Sequence, residues 1–438
     1  MSVADRSMGL GLRGLRALAG LEVIDRAGLR KPVERLIYEG SKNGFSAATA
    51  AGRTFSAATK LGKPARQAKP SAPKLFDLEP DDEQKMLQEA FGDFGAEKLR
   101  PIAQDADSAC KAPDDVLAQA NELGASMLGV PEELGGVMTE RSAVTSVLVA
   151  QKLAHADMGL AAAILAPGAV STAISLWGDA EQQAKYLPPF TEDDAPAAAL
   201  AIQEPRVLFD PLELETVATR SPDGFTLSGA KSLVLRAADA ELFVVAAKIE
   251  GEGPALFIIE SGTEGLSVEA DPAMGVRAAA TGTLRLDGVA VGPDALLGGA
   301  DPAVYSECVQ RSRIAWAALA VGTSRAVLDY VIPYVNERQA FGEPISNRQA
   351  VAFTVSDIAI ELEGMKLTTW RAASRADLGK SFAKEATIAR QLVADRGMQI
   401  GSSGVQLLGG HGYVKEYPVE RWYRDLRAAG VMEGALLV

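Results

Sequence analysis

The hydrophobic period of the sequence changes twice along the chain, and this constrains the fold more than any other feature. From about Glu79 to Asp194 apolar residues recur three and four apart, in EQKMLQEAFGDFGAEKLRPIA and again in PDDVLAQANELGASML. That spacing places them on one face of a helix. GVPEELGGV at 129–137 interrupts the pattern as a loop, and SAVTSVLVAQKLAHA resumes it as a buried helix. Near Ala197 the period shortens. AAALAIQE, GFTLSGAKSLVLRA, ELFVVAAKIE, PALFIIES and GTLRLDGVAV are short Val/Leu/Ile/Phe-rich runs punctuated by Gly, Pro and Asp, which is strand-and-turn spacing. From about Asp301 long helical patterns return and run almost to the end. The order predicts helices, then a compact β unit, then a helical bundle. It shows no internal repeat.

A chain of 438 residues is long enough for two to four domains. Two cysteines, Cys110 and Cys308, exclude a disulfide framework and a cysteine-rich metal or cluster site. Two histidines, His155 and His411, are too few for a multi-histidine metal centre, so no metal is expected. The longest apolar stretches, such as Gly159–Val170, read as shorter than the roughly 18 residues that span a bilayer. The formal charge of −13 argues against general nucleic-acid binding. These features predict a cytoplasmic protein.

The charge is unevenly spread. Residues 1–69 hold 13 Lys/Arg against 5 Asp/Glu, a net of +8, so the rest of the chain carries −21. The basic segment has leucines at 10, 12, 15, 18 and 21 with arginines between them, and leads through SAATAAGRTFSAATKLGK to a linker-like KPARQAKPSAPK. It reads in three ways: a solvated tail with one amphipathic helix, a membrane-surface or partner-docking helix, or an organellar targeting segment. Asp5, Glu22, Asp25, Glu34 and Glu39 are awkward for the third. A secretory signal is not supported, for lack of a compact apolar core followed by a small-residue cleavage site.

The sharpest motifs lie in the final third: RQAFGEPISNRQAV at 338–351, QLLGGHGYVKEYPVERWYRD at 406–425, and VMEGALLV at 431–438. With AEQQAKYLPPF at 180–190, QEP at 203–205, MGVR at 274–277 and LDGVAVGPDALLG at 286–298, they resemble the FAD-dependent acyl-CoA dehydrogenase family over roughly residues 80–438. The resemblance implies an α+β, mostly α fold: an N-terminal helical domain (76–195), a middle β-barrel-like domain (196–300) and a C-terminal four-helix bundle (301–438), after a basic extension (1–75). It also implies dehydrogenation of an acyl-CoA or other acyl thioester, FAD as cofactor, electron-transfer flavoprotein as partner, a place in fatty acid metabolism, and a homo-oligomer, dimer or tetramer.

Such a reaction needs a carboxylate at the α-carbon, a bound isoalloxazine to take the β-hydrogen as hydride, and donors that polarise the thioester oxygen. By resemblance Glu433 is the base. A second family arrangement places the base just before Arg313, where this chain has Ser312, which cannot serve. Arg338 corresponds to the arginine on the FAD pyrophosphate, where a guanidinium fork suits two phosphates. Phe341 would pack on the cofactor and Gln349 would hydrogen-bond to it. Gln406, Gly409 and Gly410 match a segment reaching the adenosine end from a neighbouring subunit. Arg313 matches an arginine near the nucleotide part of acyl-CoA, although Gln310 stands where an acidic residue or Asn is usual. His411 reads as a loop residue and His155, in LAHAD, as structural.

The middle domain departs from the family. TEPGAGSD becomes QEPRVLFD, so Gln203 replaces a flavin-bonding threonine, Leu208 a glycine and Phe209 a serine. The second flavin-facing strand, usually W-I-(T/S)-N, reads Leu233-Val234-Leu235-Arg236. At the C-terminal motif Met432 stands for Tyr, Ala435 for Thr, and five residues follow Glu433 where typical members continue further. Two readings follow. The first is an FAD-dependent dehydrogenase with an altered pocket. The alternative is a catalytically weak or flavin-free homologue acting as an interaction or scaffold subunit. A third, oxygen chemistry on flavin, is disfavoured by the retained glutamate.

Overall fold

The computed structural model describes residues 79–438, apart from Val137, Thr139 and Asp193. The basic segment and its three readings lie outside the described residues.

Among the described residues, four of the six N-terminal α-helices start where a polar side chain satisfies free backbone N–H groups. Helix α1 (Asp82–Phe94) opens on a capping box in which the Asp81 and Gln84 side chains each accept the other's backbone N–H. After α2 (Ala103–Ala109) and α3 (Asp114–Glu122), the GVPEELGGV loop closes as a short 3₁₀ turn, Glu132–Leu134. Helices α4 (Ala143–Ala156) and α5 (Met158–Trp177) follow, capped by Ser142 and Asp157, and then α6 (Ala180–Tyr186). Helix α5 corrects the expectation about apolar stretches: at 20 residues it is long and apolar enough to cross a membrane. Most of it is buried against the rest of the protein, as a core helix is.

The middle unit is one eight-stranded sheet. Strands β1 (Ala198–Ala201), β2 (Val217–Ser221), β3 (Gly224–Val234), β4 (Leu242–Ile249), β5 (Gly253–Glu260), β6 (Leu266–Ala270), β7 (Gly282–Val291) and β8 (Leu296–Leu297) take the order β6-β7-β3-β2-β4-β5-β8, with β1 parallel to β4. Successive residues point to opposite faces. Val244, Ala246, Leu256 and Ile258 therefore join a core with α5, while Phe243, Val245, Phe257 and Ile259 join a second core with Leu227 and Leu284 on the other face.

Helix α7 (Pro302–Glu337) begins on an Asp301 cap and leads through a tight β9 (Gln339–Ala340)–β10 (Glu343–Pro344) pair into α8 (Gln349–Asp377). Helices α9 (Ala383–Leu408), α10 (Val419–Leu426) and α11 (Ala428–Val431) complete the element order. The expected four-helix bundle takes a mixed form. Long α7, α8 and α9 pack together, and α4 from the N-terminal part packs along α7 and α8. Gly322 permits the α4–α7 crossing, because a Cβ there would lie 2.2 Å from the Gln151 carbonyl oxygen. The two parts are also joined end to end. The Asp377 carboxylate, at the end of α8, accepts from Ser142 Oγ (2.8 Å), Ala143 N (2.6 Å) and Val144 N (3.0 Å) at the start of α4.

Candidate active site

Glu433 lies just past α11, in a segment laid against α9. Gly401 lets α10 approach α9 closely, because a Cβ there would sit 3.0 Å from Tyr423 Cα. Helix α7 pins the same segment. The Gly434 carbonyl accepts from Ser312 Oγ at 2.7 Å and from Trp316 Nε1 at 2.8 Å, and the Glu433 backbone N–H donates to Gln203 Oε1 at 3.0 Å. Gly434 has φ +79°, and a Cβ there would meet Ile202 at 2.6 Å, so glycine is needed beside the glutamate.

The Glu433 carboxylate is held by two cations. Arg313 on α7 binds it through both oxygens, Nε to Oε2 and Nη2 to Oε1, each at 3.2 Å. Arg390 on α9 donates Nη2 to Oε1 at 3.3 Å. The three side chains are 11%, 20% and 12% exposed for Glu433, Arg313 and Arg390 respectively. Burial lowers the Arg390 pKa, and the Glu433 charge opposes that shift. Ser312, excluded as a base, instead anchors the segment that carries Glu433.

Behind Gln203 lies a fully buried ion pair. Lys231 Nζ donates to Glu204 Oε1 at 2.8 Å and to the Ile202 carbonyl at 3.1 Å. Glu204 also accepts from the N–H groups of Glu215 and Thr216, both at 2.8 Å. Burial drives the Lys231 pKa down to about 8. Burial would raise the Glu204 carboxyl, but Lys231 and the two N–H groups outweigh it and hold it below its ordinary value. At 233–236 the structure buries only the middle pair, Val234 and Leu235. Leu233 and Arg236 both adopt positive φ, 53° and 49°.

The structure therefore brings together Glu433, Arg313 and Gln203. The other candidates sit elsewhere. Arg338, Phe341 and Gln349 line the turn between α7 and α8, and Gln406, Gly409 and Gly410 end α9; all six are exposed. These two groups share one end of the bundle, because Tyr334, one turn before Arg338, places its hydroxyl 3.4 Å from the Leu408 carbonyl and 2.9 Å from His411 Nδ1. His411 stacks on Tyr417 with ring centroids 4.9 Å apart. His155 pairs with Asp329 at 3.0 Å and also contacts Arg100. The sequence reading missed Arg390, Trp316 and the Lys231–Glu204 pair. Arg390 had a legible signal: in KEATIARQLV it interrupts the buried stripe of Ala386, Ala389 and Val393.

Three profiles of the acyl-CoA dehydrogenase family match the chain in order: the N-terminal domain at residues 81–194, the middle domain at 199–289 and the C-terminal domain at 303–436. The short-chain specific acyl-CoA dehydrogenase of Bos taurus mitochondria is 32% identical over 362 residues, covering 80% of this chain and 86% of its own. Butyryl-CoA dehydrogenase from Megasphaera elsdenii superposes with a TM-score of 0.76 at 28% identity, covering 82% of this chain and 96% of that one. The chain is also similar to a 3-(aryl)acrylate reductase of Clostridium sporogenes, at 27% identity over 81% of this chain and 95% of the relative. The chain belongs to the acyl-CoA dehydrogenase family, flavoprotein oxidoreductases acting on CH–CH bonds.

Proposed function

We propose that this protein removes hydrogen across the α,β bond of a short acyl-CoA thioester, with Glu433 as the α-proton base. The observation that carries this reading is the way Glu433 is fixed. Its backbone N–H donates to Gln203, the carbonyl of the next residue, Gly434, accepts from Ser312 on α7, and its carboxylate is bound by Arg313. A base held to one geometry is what proton abstraction next to a carbonyl requires.

FAD is the cofactor this reading needs, and the residues present fit it. Arg338 is exposed and makes no ion pair among the described residues, as suits a guanidinium that binds a diphosphate. Phe341 is 95% exposed at φ 56°. A Cβ at Gly409 or Gly410 would meet nothing within 4 Å, which leaves that backbone open to a ligand. When bound, FAD supplies the hydride acceptor. Gln203 would orient the ring through its amide nitrogen, since its oxygen is already used by Glu433.

A short acyl chain is supported by the relatives named for short-chain and butyryl substrates. A chain in the structure of the electron transferring flavoprotein of Acidaminococcus fermentans matches at a TM-score of 0.76, which supports a flavoprotein as electron acceptor. Self-association is supported by an apolar stripe on α8, where Phe353, Ile360 and Leu367 are 58%, 68% and 42% exposed.

The alternative, a catalytically weak or flavin-free interaction or scaffold subunit, draws on Leu233 and Leu235, which stand where the family has Trp and a hydroxyl residue. One experiment decides between them. Protein supplemented with FAD is purified and mixed anaerobically with butyryl-CoA. A yellow protein whose flavin band bleaches supports the dehydrogenase; a protein that cannot retain FAD sinks it.

A further inference from the structure

The Glu433 carboxylate needs one cation for charge balance and has two. Arg313 already binds both oxygens in a fork. Arg390 adds a second bond to Oε1 alone. A carboxylate has about four lone-pair positions, two on each oxygen. Oε1 receives two N–H groups and is filled, whereas Oε2 receives one and keeps a lone pair free.

Arg390 is not explained by its own stability. Its guanidinium is almost fully enclosed, and its Nη1 is buried with no hydrogen-bond partner. Burying a cation with an unmet N–H is costly, and an ion pair kept only for structure would be expected to satisfy it. No other acidic partner of Arg390 stands among the ion pairs of the described residues. The groups around Glu433 are Arg313 and Tyr305 from α7, Arg390 from α9 and the neutral Gln203 after β1.

We propose that Arg390 is a positioning residue that occupies Oε1 and so makes Oε2 the oxygen that takes the substrate's α-proton. This rests on the reading of Glu433 as base. In that step the α C–H bond breaks, the proton forms a bond to Oε2, and the electron pair stays on the thioester as an enolate. Return of a proton from Oε2 reverses the step, so base action can be read as isotope exchange with no oxidant.

The test uses the full chain loaded with FAD, in D₂O, with acetyl-CoA as probe; it has α-hydrogens and no β-carbon to dehydrogenate. Exchange of α-hydrogen for deuterium is followed by mass spectrometry in wild type, Glu433→Gln, Arg390→Met and Arg390→Lys. The expected result is a loss of exchange in E433Q, a fall of about 10- to 100-fold in R390M with unchanged KM for acetyl-CoA, and substantial recovery in R390K. Arg390→Gln serves in place of R390M should the apolar variant not fold. Exchange in R390M equal to wild type, with E433Q inactive, overturns the positioning role and leaves the base intact. A rise in KM alone also overturns it. Exchange that does not depend on Glu433 removes the base reading, and the Arg390 proposal with it.

Discussion

Gln203 Oε1 accepts the backbone N–H of Glu433 at 3.0 Å, tying the loop after β1 to the segment after α11 across 230 residues of sequence. A neutral amide thus holds the main chain of the candidate base while two guanidiniums hold its side chain. Replacing Gln203 by Ala frees that N–H. The expected cost is about 0.5–1.5 kcal/mol, the usual net worth of one such bond. The local signature is faster hydrogen–deuterium exchange at the Glu433 amide. Gln203→Glu keeps an acceptor and should preserve the protection; equal exchange in wild type and Q203A would contradict the contact.

Glu433→Gln keeps the size and one acceptor oxygen of the side chain but removes its capacity as a base. Flavin reduction by butyryl-CoA should slow by about 10²–10⁴-fold, with the flavin spectrum of the resting protein unchanged. Loss of bound FAD together with activity would point to a structural role.

Lys231 and Glu204 form a pair in which neither side chain is more than 2% exposed. Lys231→Met leaves a buried carboxylate without its cation, and the expected destabilisation is about 3–5 kcal/mol. The double variant Lys231→Met/Glu204→Leu should recover much of this, although the N–H groups of Glu215 and Thr216 lose their acceptor. Chemical denaturation of the three proteins measures it.

Asp425 is fully buried beside Asp157, and its carboxylate accepts the Val276 N–H at 2.6 Å. Burial, with the Asp157 charge adding to it, pushes its pKa up to about 8. An unfolded aspartate titrates near 3.9, so between these values the folded state holds a proton that the unfolded state lacks. Its contribution to stability is therefore full at low pH and is lost as pH rises towards 8. Asp425→Asn keeps an acceptor for Val276 and removes this titration. The wild-type melting temperature should fall more steeply than that of D425N between pH 5 and pH 8, and parallel curves would refute the assignment.

Phe353, Ile360 and Leu367 recur every seven residues on the exposed face of α8. A self-association face there predicts that Ile360→Lys lowers the mass seen by sedimentation while leaving the helical circular dichroism unchanged.

The three-part order was legible because period alone separates helices from strands here, and the changes near Ala197 and Asp301 fall within a residue or so of β1 and the α7 cap. Strands β2 and β6 were not read. VATRS and LSVEA are short, with mostly exposed or half-buried side chains, and each is fixed by antiparallel pairing with the longer strand that follows it, β3 and β7. At the site, Glu433 and Arg313 were reachable through motif resemblance. For Arg390 the sequence shows only a charge on the buried stripe of α9; its partner, Glu433, depends on a tertiary contact with no local spacing.

The carboxylate that caps α4 is supplied by Asp377, 234 residues after Ala143. During synthesis the start of α4 emerges long before that side chain exists. Ser142 can serve the Thr145 N–H at once, but the Ala143 and Val144 N–H groups stay with water until the end of α8 has been made. This tie between the two helical parts can therefore form only after α8 has been synthesised.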